Sequence, residues 1–358
     1  MNHTVRNMLS SISTNRVLFL GLLLVVVVGS MMGSSAAGLM SASYTPDYMA
    51  ASLISAVPLA MLGLAELLVI VSGRAGIDLS VGAVATLAGV MFGFSYGIWE
   101  WPLWLAILLA TSIGMLCGAV NGLLVSYLDF PPIIATLATF YAIKSLAILI
   151  SKQTSINTAP IQDFYSAAQS VEIPLIGQYF PLVPLGLLTF MVPTAVIVWF
   201  LLNRTTFGRT LYAAGTNDEA ARLAALPNKV HRAISYALAG GISALAGVFV
   251  VAQFASARPD AGVSGNGMAL PAITIAVLGG VAITGGVGRV SGVLLSTLVV
   301  VWLNAGILLL VPGNTGSQLQ LLALGVLLLG ASLMNTKLRF RRRRRSTSVT
   351  TPPPTMAA

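Results

Sequence analysis

Between residues 46 and 334 one long apolar run follows another, and another run precedes them, with most of the charge confined to the breaks. Windows of roughly 20 apolar residues predict spans near 17–37, 52–72, 78–97, 102–126, 131–151, 181–202, 232–254, 268–286, 289–311 and 317–335. Hydrocarbon offers no partner for a backbone N–H or C=O, so runs of this length are helices and not ten-residue barrel strands. The expected fold class is therefore all-α, a polytopic membrane protein of about ten transmembrane helices. The first run follows Arg6 and Arg16 and precedes the small residues of 33–38, as a signal peptide would. It is longer than such a core and further spans follow at once, so it is expected to be retained.

Composition narrows the class. The 358 residues are 56% hydrophobic and only 8% charged, with 35 glycines, which leaves no room for a sizeable soluble domain. Cys117 is the single cysteine and lies in an apolar run, so no internal disulfide can form. His3 and His231 stand far apart outside the spans, and neither reads as a metal ligand. Metal sites, cofactor sites and catalytic residues are all expected to be none.

Charge gives the orientation. With the N-terminus inside, the inner face receives Arg6, Arg16, Arg74, Arg204, Arg209, Arg222, Lys229, Arg232, Arg289, Lys337, Arg339 and the five arginines of 341–345, which is 16 of the 19 basic residues. Only Lys152 and Arg258 face outward, together with Asp47, Glu100, Asp163, Glu172 and Asp260. The asymmetry predicts both termini on the cytoplasmic side. A net charge of +9 would suit nucleic acid, but these cations sit beside span ends, where topology explains them and nucleic acid is not needed. The run 337–345 is suited to anionic membrane lipid, and 346–358, rich in Ser, Thr and Pro, is expected to be disordered.

The loop 203–231 is the one inner segment with local structure signals. Thr216 followed by Glu219 reads as a capping box, Gly215 precedes it and Pro227 ends the run, predicting a helix over 217–226. Ala220, Ala221, Ala224 and Ala225 give it little bulk, so a partner could approach its backbone while Glu219 and Arg222 make polar contacts. A short connecting helix on the membrane surface is the other reading.

Three blocks carry a family resemblance: Ser72-Gly73 with Gly76-Ile77-Asp78-Leu79-Ser80-Val81-Gly82; Phe207-Gly208-Arg209 through Gly215-Thr216-Asn217-Asp218-Glu219-Ala220-Ala221-Arg222-Leu223; and Ala255-Ser256-Ala257-Arg258-Pro259-Asp260-Ala261-Gly262 through Leu278-Gly279-Gly280, Gly285-Gly286 and Gly288. In this order they resemble the permease subunits of bacterial ABC sugar importers of the ribose type, which include rhamnose and autoinducer-2 permeases. The resemblance implies a multi-pass protein of the bacterial cytoplasmic (inner) membrane, with a transmembrane permease domain over 17–335, a cytoplasmic N-terminus over 1–16 and a basic tail over 336–358. It implies that 203–231 is a coupling loop, with Gly215, Asn217, Glu219, Ala220, Ala221, Arg222 and Leu223 docking on a separate ABC ATPase subunit. It also implies an extracytoplasmic solute-binding protein and a second permease chain, as a homodimer or a heterodimer. No phosphate-binding loop of the form Gly-x-x-x-x-Gly-Lys-Ser/Thr occurs in the chain, which agrees with ATP hydrolysis by a partner and not by an enzyme active site here. Two departures stand out: Ala75 replaces the family's first glycine, and Leu223-Ala224-Ala225-Leu226-Pro227 replaces Leu-Ser-Gly-Ile.

Polar residues inside spans are costly and so become pathway candidates. Glu66, Asn121, Lys144, Gln253 and Asn304 are the strongest. Lys144 could meet a sugar, pair with a carboxylate such as Glu66, or snorkel. Asp78 and Asp129 sit at span ends and suit capping or turn roles. Gly76, Asp78, Ser80 and Gly82, with Gly279, Gly280, Gly285, Gly286 and Gly288, mark motif turns, either for close helix packing or for an irregular re-entrant turn. The rival from another class is an ion-coupled secondary transporter of a small polar solute, which would lean on Glu66.

Overall fold

The computed structural model describes residues 16–172, 181–260, 262 and 267–347, the last stretch with side chains to residue 333. The chain is a polytopic all-α membrane protein. Its helices are α1 (Arg16–Ala36), α2 (Pro46–Ser52), α3 (Ala56–Val71), α4 (Val81–Phe92), α5 (Leu103–Ser126), α6 (Pro132–Ser151), α7 (Ala159–Asp163), α8 (Val192–Arg204), α9 (Thr206–Thr216), α10 (Asp218–Leu223), α11 (Asn228–Phe254), α12 (Ala269–Leu278), α13 (Val290–Leu310) and α14 (Asn314–Thr347). Wide turns, Gly93–Ile98 and Leu187–Met191, extend α4 and lead into α8. Two-residue strands, Ser170–Val171 and Val183–Pro184, pair antiparallel.

Among the described residues eight helices are long and apolar enough to cross a membrane, and nine if α2 and α3, bent by 51°, form one span. The region predicted as a span over 268–286 is different. Only the ten residues of α12 are helical, because Gly280, Gly285 and Gly286 take φ of 92°, 96° and 72° and turn the chain back. The basic run 337–345 is helical, and α14 continues to Thr347, two residues into the stretch 346–358 expected to be disordered, since Lys and Arg are good helix formers and neither Gly nor Pro interrupts them. Residues 348–358, and the N-terminal segment up to residue 15, lie outside the described residues.

The centre is built from α3, α4, α11 and α12, each buried along most of its length. Around them α1, α5, α6 and α8 leave large apolar side chains such as Val25, Leu116, Leu149 and Ile197 exposed, as lipid-facing helices do. The tightest packing joins α5 to α11. Gly114, Gly118 and Gly122 face Gly240, Tyr236 and Ala233; a Cβ on Gly122 would stop 2.8 Å from the Cα of Ala233. Small residues at this spacing let two backbones touch, which in lipid is a main source of helix association.

Candidate coupling site and intramembrane polar network

The loop after α8 folds into two short helices. Thr205 caps α9, its hydroxyl accepting from the Gly208 amide at 3.3 Å. The expected cap of the next helix, Thr216, instead closes α9, its hydroxyl donating to the Tyr212 carbonyl at 2.7 Å. Asn217 is the cap of α10: it leaves the helical region (φ −156°), and its Oδ1 accepts from the Ala220 amide at 3.0 Å. Glu219 does not close a capping box either, because its carboxylate accepts from Arg222 at 2.6 and 3.1 Å. That contact holds the Glu219 carboxyl below the usual carboxylate range.

The helix is also shorter than the predicted 217–226. It ends at Leu223, where the Leu226 amide donates to the Ala221 carbonyl (3.1 Å) and the Ala225 amide to the Arg222 carbonyl (3.0 Å). This is a Schellman stop, whose left-handed residue is usually glycine. Here Ala225 takes that place at φ 57°, the position where the ribose-type pattern has its glycine. Ala75, at the other departure, is also left-handed, at φ 52°.

On α10, Glu219, Ala220, Arg222 and Leu223 are exposed, while Ala221 is buried against the body. Leu223 is 77% exposed, more than any other large apolar side chain among the described residues. A cavity of about 410 Å3 opens beside it, lined by Arg74, Asp129, Asp218, Glu219, Arg222 and Lys229 among others. Asp129 accepts from Arg74 at 2.7 Å and lies 3.9 Å from Lys229. The Arg74 hydrogen bond, followed by the charge of Lys229, holds its carboxyl below the ordinary range.

Beneath α10 the three sequence blocks converge. A Cβ on Gly73 would stop 2.8 Å from the Cα of Gly215, and one on Gly285 would stop 2.8 Å from the Gly73 nitrogen. The Gly286 amide donates to the Val71 carbonyl at 3.1 Å, and a Cβ on Gly286 would press on Thr216. Tyr212 donates to the Gly288 carbonyl at 2.8 Å. Gly279 makes the same kind of close approach to Gly292, so this glycine segment serves both close packing and an irregular turn.

Inside the membrane region a second cluster forms. Glu66 is fully buried on α3 and accepts from the Asp78 amide at 3.4 Å. Asp78 accepts from the Ser80 amide (2.9 Å) and hydroxyl (2.6 Å). Asn121 donates to the Ser80 hydroxyl (2.8 Å) and accepts from Thr139 (2.6 Å). A Cβ on Gly76 would stop 2.9 Å from the Val69 carbonyl, and one on Gly82 would meet the Gly262 carbonyl. Glu66 and Asn121 thus join one network, to which Thr139 was not assigned by the sequence. Lys144 lies outside it, its ammonium 5.8 Å from the centre of the Phe140 ring. Among the described residues Lys144 makes no ion pair with Glu66. Gln253 is half-buried near the end of α11, and Asn304 accepts at its backbone carbonyl from Gln320 (2.9 Å).

Among known proteins, the family model described as the branched-chain amino acid transport system / permease component matches residues 48–333. The autoinducer 2 import system permease protein LsrD of Klebsiella pneumoniae is 35% identical over 271 residues, covering 74% of this chain and 77% of that protein. The fructose import permease protein FrcC of Rhizobium meliloti is 35% identical over 277 residues, covering 75% and 72%. LsrD of Yersinia enterocolitica is 34% identical over 292 residues, covering 81% and 82%. No solved structure matches the chain. With most of its length matched by one family model and by these permeases, the chain belongs to the permease-component family of membrane transport systems.

Proposed function

We propose that this chain is the membrane-spanning permease subunit of an ATP-driven ABC importer in the bacterial cytoplasmic membrane. It moves a sugar or sugar-like solute delivered by an extracytoplasmic binding protein, and two permease chains surround one pathway. A separate ATPase subunit supplies the energy by docking on α10, with Leu223 as the apolar anchor and Glu219, Ala220 and Arg222 around it. The named solutes of the relatives, autoinducer 2 and fructose, support a sugar-like class.

One observation carries the reading. A six-residue helix with an exposed leucine at its tip follows directly on the glycine junction that joins α3, α9 and the turn after α12, and its first residue, Asp218, is hydrogen-bonded to Asn228 and Arg232 at the start of α11. A helix lying flat on a membrane surface has no reason to be braced against span ends in this way. The orientation read from the basic residues puts α10 and both termini on the cytoplasmic side, where an ATPase operates.

The test is uptake into vesicles holding the permease with its ATPase and binding protein, using radiolabelled fructose, ribose, rhamnose and autoinducer 2. Accumulation that requires ATP and survives an uncoupler is the expected result. Accumulation abolished by the uncoupler and indifferent to ATP would establish the ion-coupled alternative, for which the buried Glu66 would be the natural site.

A further inference from the structure

Arg232 stands in the second turn of α11, at a span entrance where topology alone accounts for a cation, yet its side chain is only 2% exposed. It is among the largest fully buried side chains of the protein. Burying a guanidinium is costly unless its hydrogen bonds are satisfied, so its partners define what it does. Its Nη2 donates to the Asp218 carboxylate at 2.8 Å, and Nη2 and Nε donate to the Ser72 carbonyl at 3.2 and 3.3 Å. Asp218 is the first residue of α10, and Ser72 is the residue that ends α3. The Ser72 carbonyl belongs to the group that a helix end leaves without an internal partner, and a cation there also complements the helix dipole.

Asn228, four residues earlier and on the same face of α11, adds a second hold. Its Nδ2 donates to both the carbonyl (2.9 Å) and the carboxylate (3.0 Å) of Asp218. The start of α10 is therefore clamped to α11 and, through one guanidinium, to the end of α3. Next to this clamp the glycine junction of Gly73, Gly215 and Gly285 leaves backbone against backbone, so no flexible side chain is present to absorb a displacement. Six residues back along α3, about 9 Å by helix rise, Glu66 receives the Asp78 amide and opens the network to Ser80, Asn121 and Thr139.

From this geometry we infer that Arg232 is a positioning residue of the drive: a buried strut that converts movement of α10 into movement of α3 and of the polar network it holds. The inference rests on the reading that the ATPase docks on α10. It assigns to Arg232 no contact with either ATPase or solute.

Arg232→Lys and Arg232→Met separate the strut from the docking surface. Lys keeps the charge but lacks the rigid planar guanidinium, whose Nη2 meets Asp218 and Ser72 while Nε adds a second bond to the Ser72 carbonyl. In the reconstituted importer, with whichever of the four labelled solutes above the wild type accumulates fastest, two quantities are read: ATPase association, and solute moved per ATP hydrolysed. The strut predicts association within about twofold of wild type and solute per ATP lowered at least tenfold, with Lys failing nearly as badly as Met. An unchanged ratio in a variant that reaches the membrane overturns the strut. So does a parallel fall in association and in the amount of folded protein, which is what a merely structural arginine gives. If the Arg232 variants do not reach the membrane, Asp218→Asn, on a side chain 44% exposed, decides the matter: a ratio lowered at least threefold with association retained supports the strut, and an unchanged ratio overturns it. A wild-type chain that does not associate with its ATPase through α10 overturns the docking reading, and the strut falls with it; the strut alone fails when docking is intact and the ratio holds.

Discussion

Gly73 and Gly215 stand back to back, so close that a methyl group on Gly73 would lie 2.8 Å from the Cα of Gly215. Neither neighbour can yield, because both contacts are backbone and the Gly286 amide is already bonded to the Val71 carbonyl beside them. Replacing Gly215 by alanine should therefore cost about 1–3 kcal/mol through overpacking and displace α10. Gly21→Ala is the control, since nothing lies within 4 Å of the added carbon there. Thermal unfolding in detergent should show a clear drop for Gly215→Ala and none for Gly21→Ala; equal melting temperatures would refute the junction.

Leu223 should dominate docking. Truncation to alanine removes most of an apolar side chain worth about 1.5–3 kcal/mol when buried, so ATPase association should weaken about tenfold or more while membrane insertion and melting temperature stay at wild type. Ala220→Trp should also weaken association, because that position faces outward. Ala221→Trp should act differently: Ala221 is buried, so the bulk destabilises the protein itself. A binding assay run beside a melting curve distinguishes the two.

Ala225→Gly should tighten the end of α10. A residue with a Cβ in the left-handed region costs about 1–2 kcal/mol relative to glycine, partly offset by the extra freedom that glycine loses on folding. Trypsin cleavage after Arg222, which requires α10 to open, should slow up to about fivefold. Faster cleavage would mean that the stop is not held as described.

Acid should reach this surface only well below neutrality. The carboxyls of Glu219 and Asp129 are both held low, by Arg222 and by Arg74. A depressed carboxyl contributes stability above its unfolded value of about 4 and loses it as pH falls through the folded value. ATPase association should thus be flat between pH 6 and 8, within about twofold, and should fall only below about 4. Titration of binding across that range is the measurement, and a midpoint near 6 would point to another group.

Much of this was legible from pattern alone. Nine of the ten predicted spans fall on helices, seven of them with ends within a few residues, while the helix at 181–202 starts later and the one at 317–335 runs on to Thr347; a 20-residue apolar run has one way to satisfy its backbone in lipid. The tenth failed for a local reason: Val281, Ala282 and Ile283 read as hydrophobic, but the glycines around them take backbone angles that no hydropathy window registers. The capping error at Thr216 has the same origin. Two adjacent residues, Thr216 and Asn217, could each cap a helix, and only the fold of α9 shows which of them is already engaged. Arg232 escaped because its sequence position has an adequate topological explanation; its burial depends on Asp218 and Ser72, which lie 14 and 160 residues away along the chain.

The seam between α5 and α11 bears on how any transport cycle must work. Where Gly114, Gly118 and Gly122 meet the opposing backbone, there are no side chains to change rotamer and no soft layer to shear. The two helices form one beam. A separation measured across them should stay constant while the pathway opens and closes, giving an internal yardstick against which the moving helices can be identified.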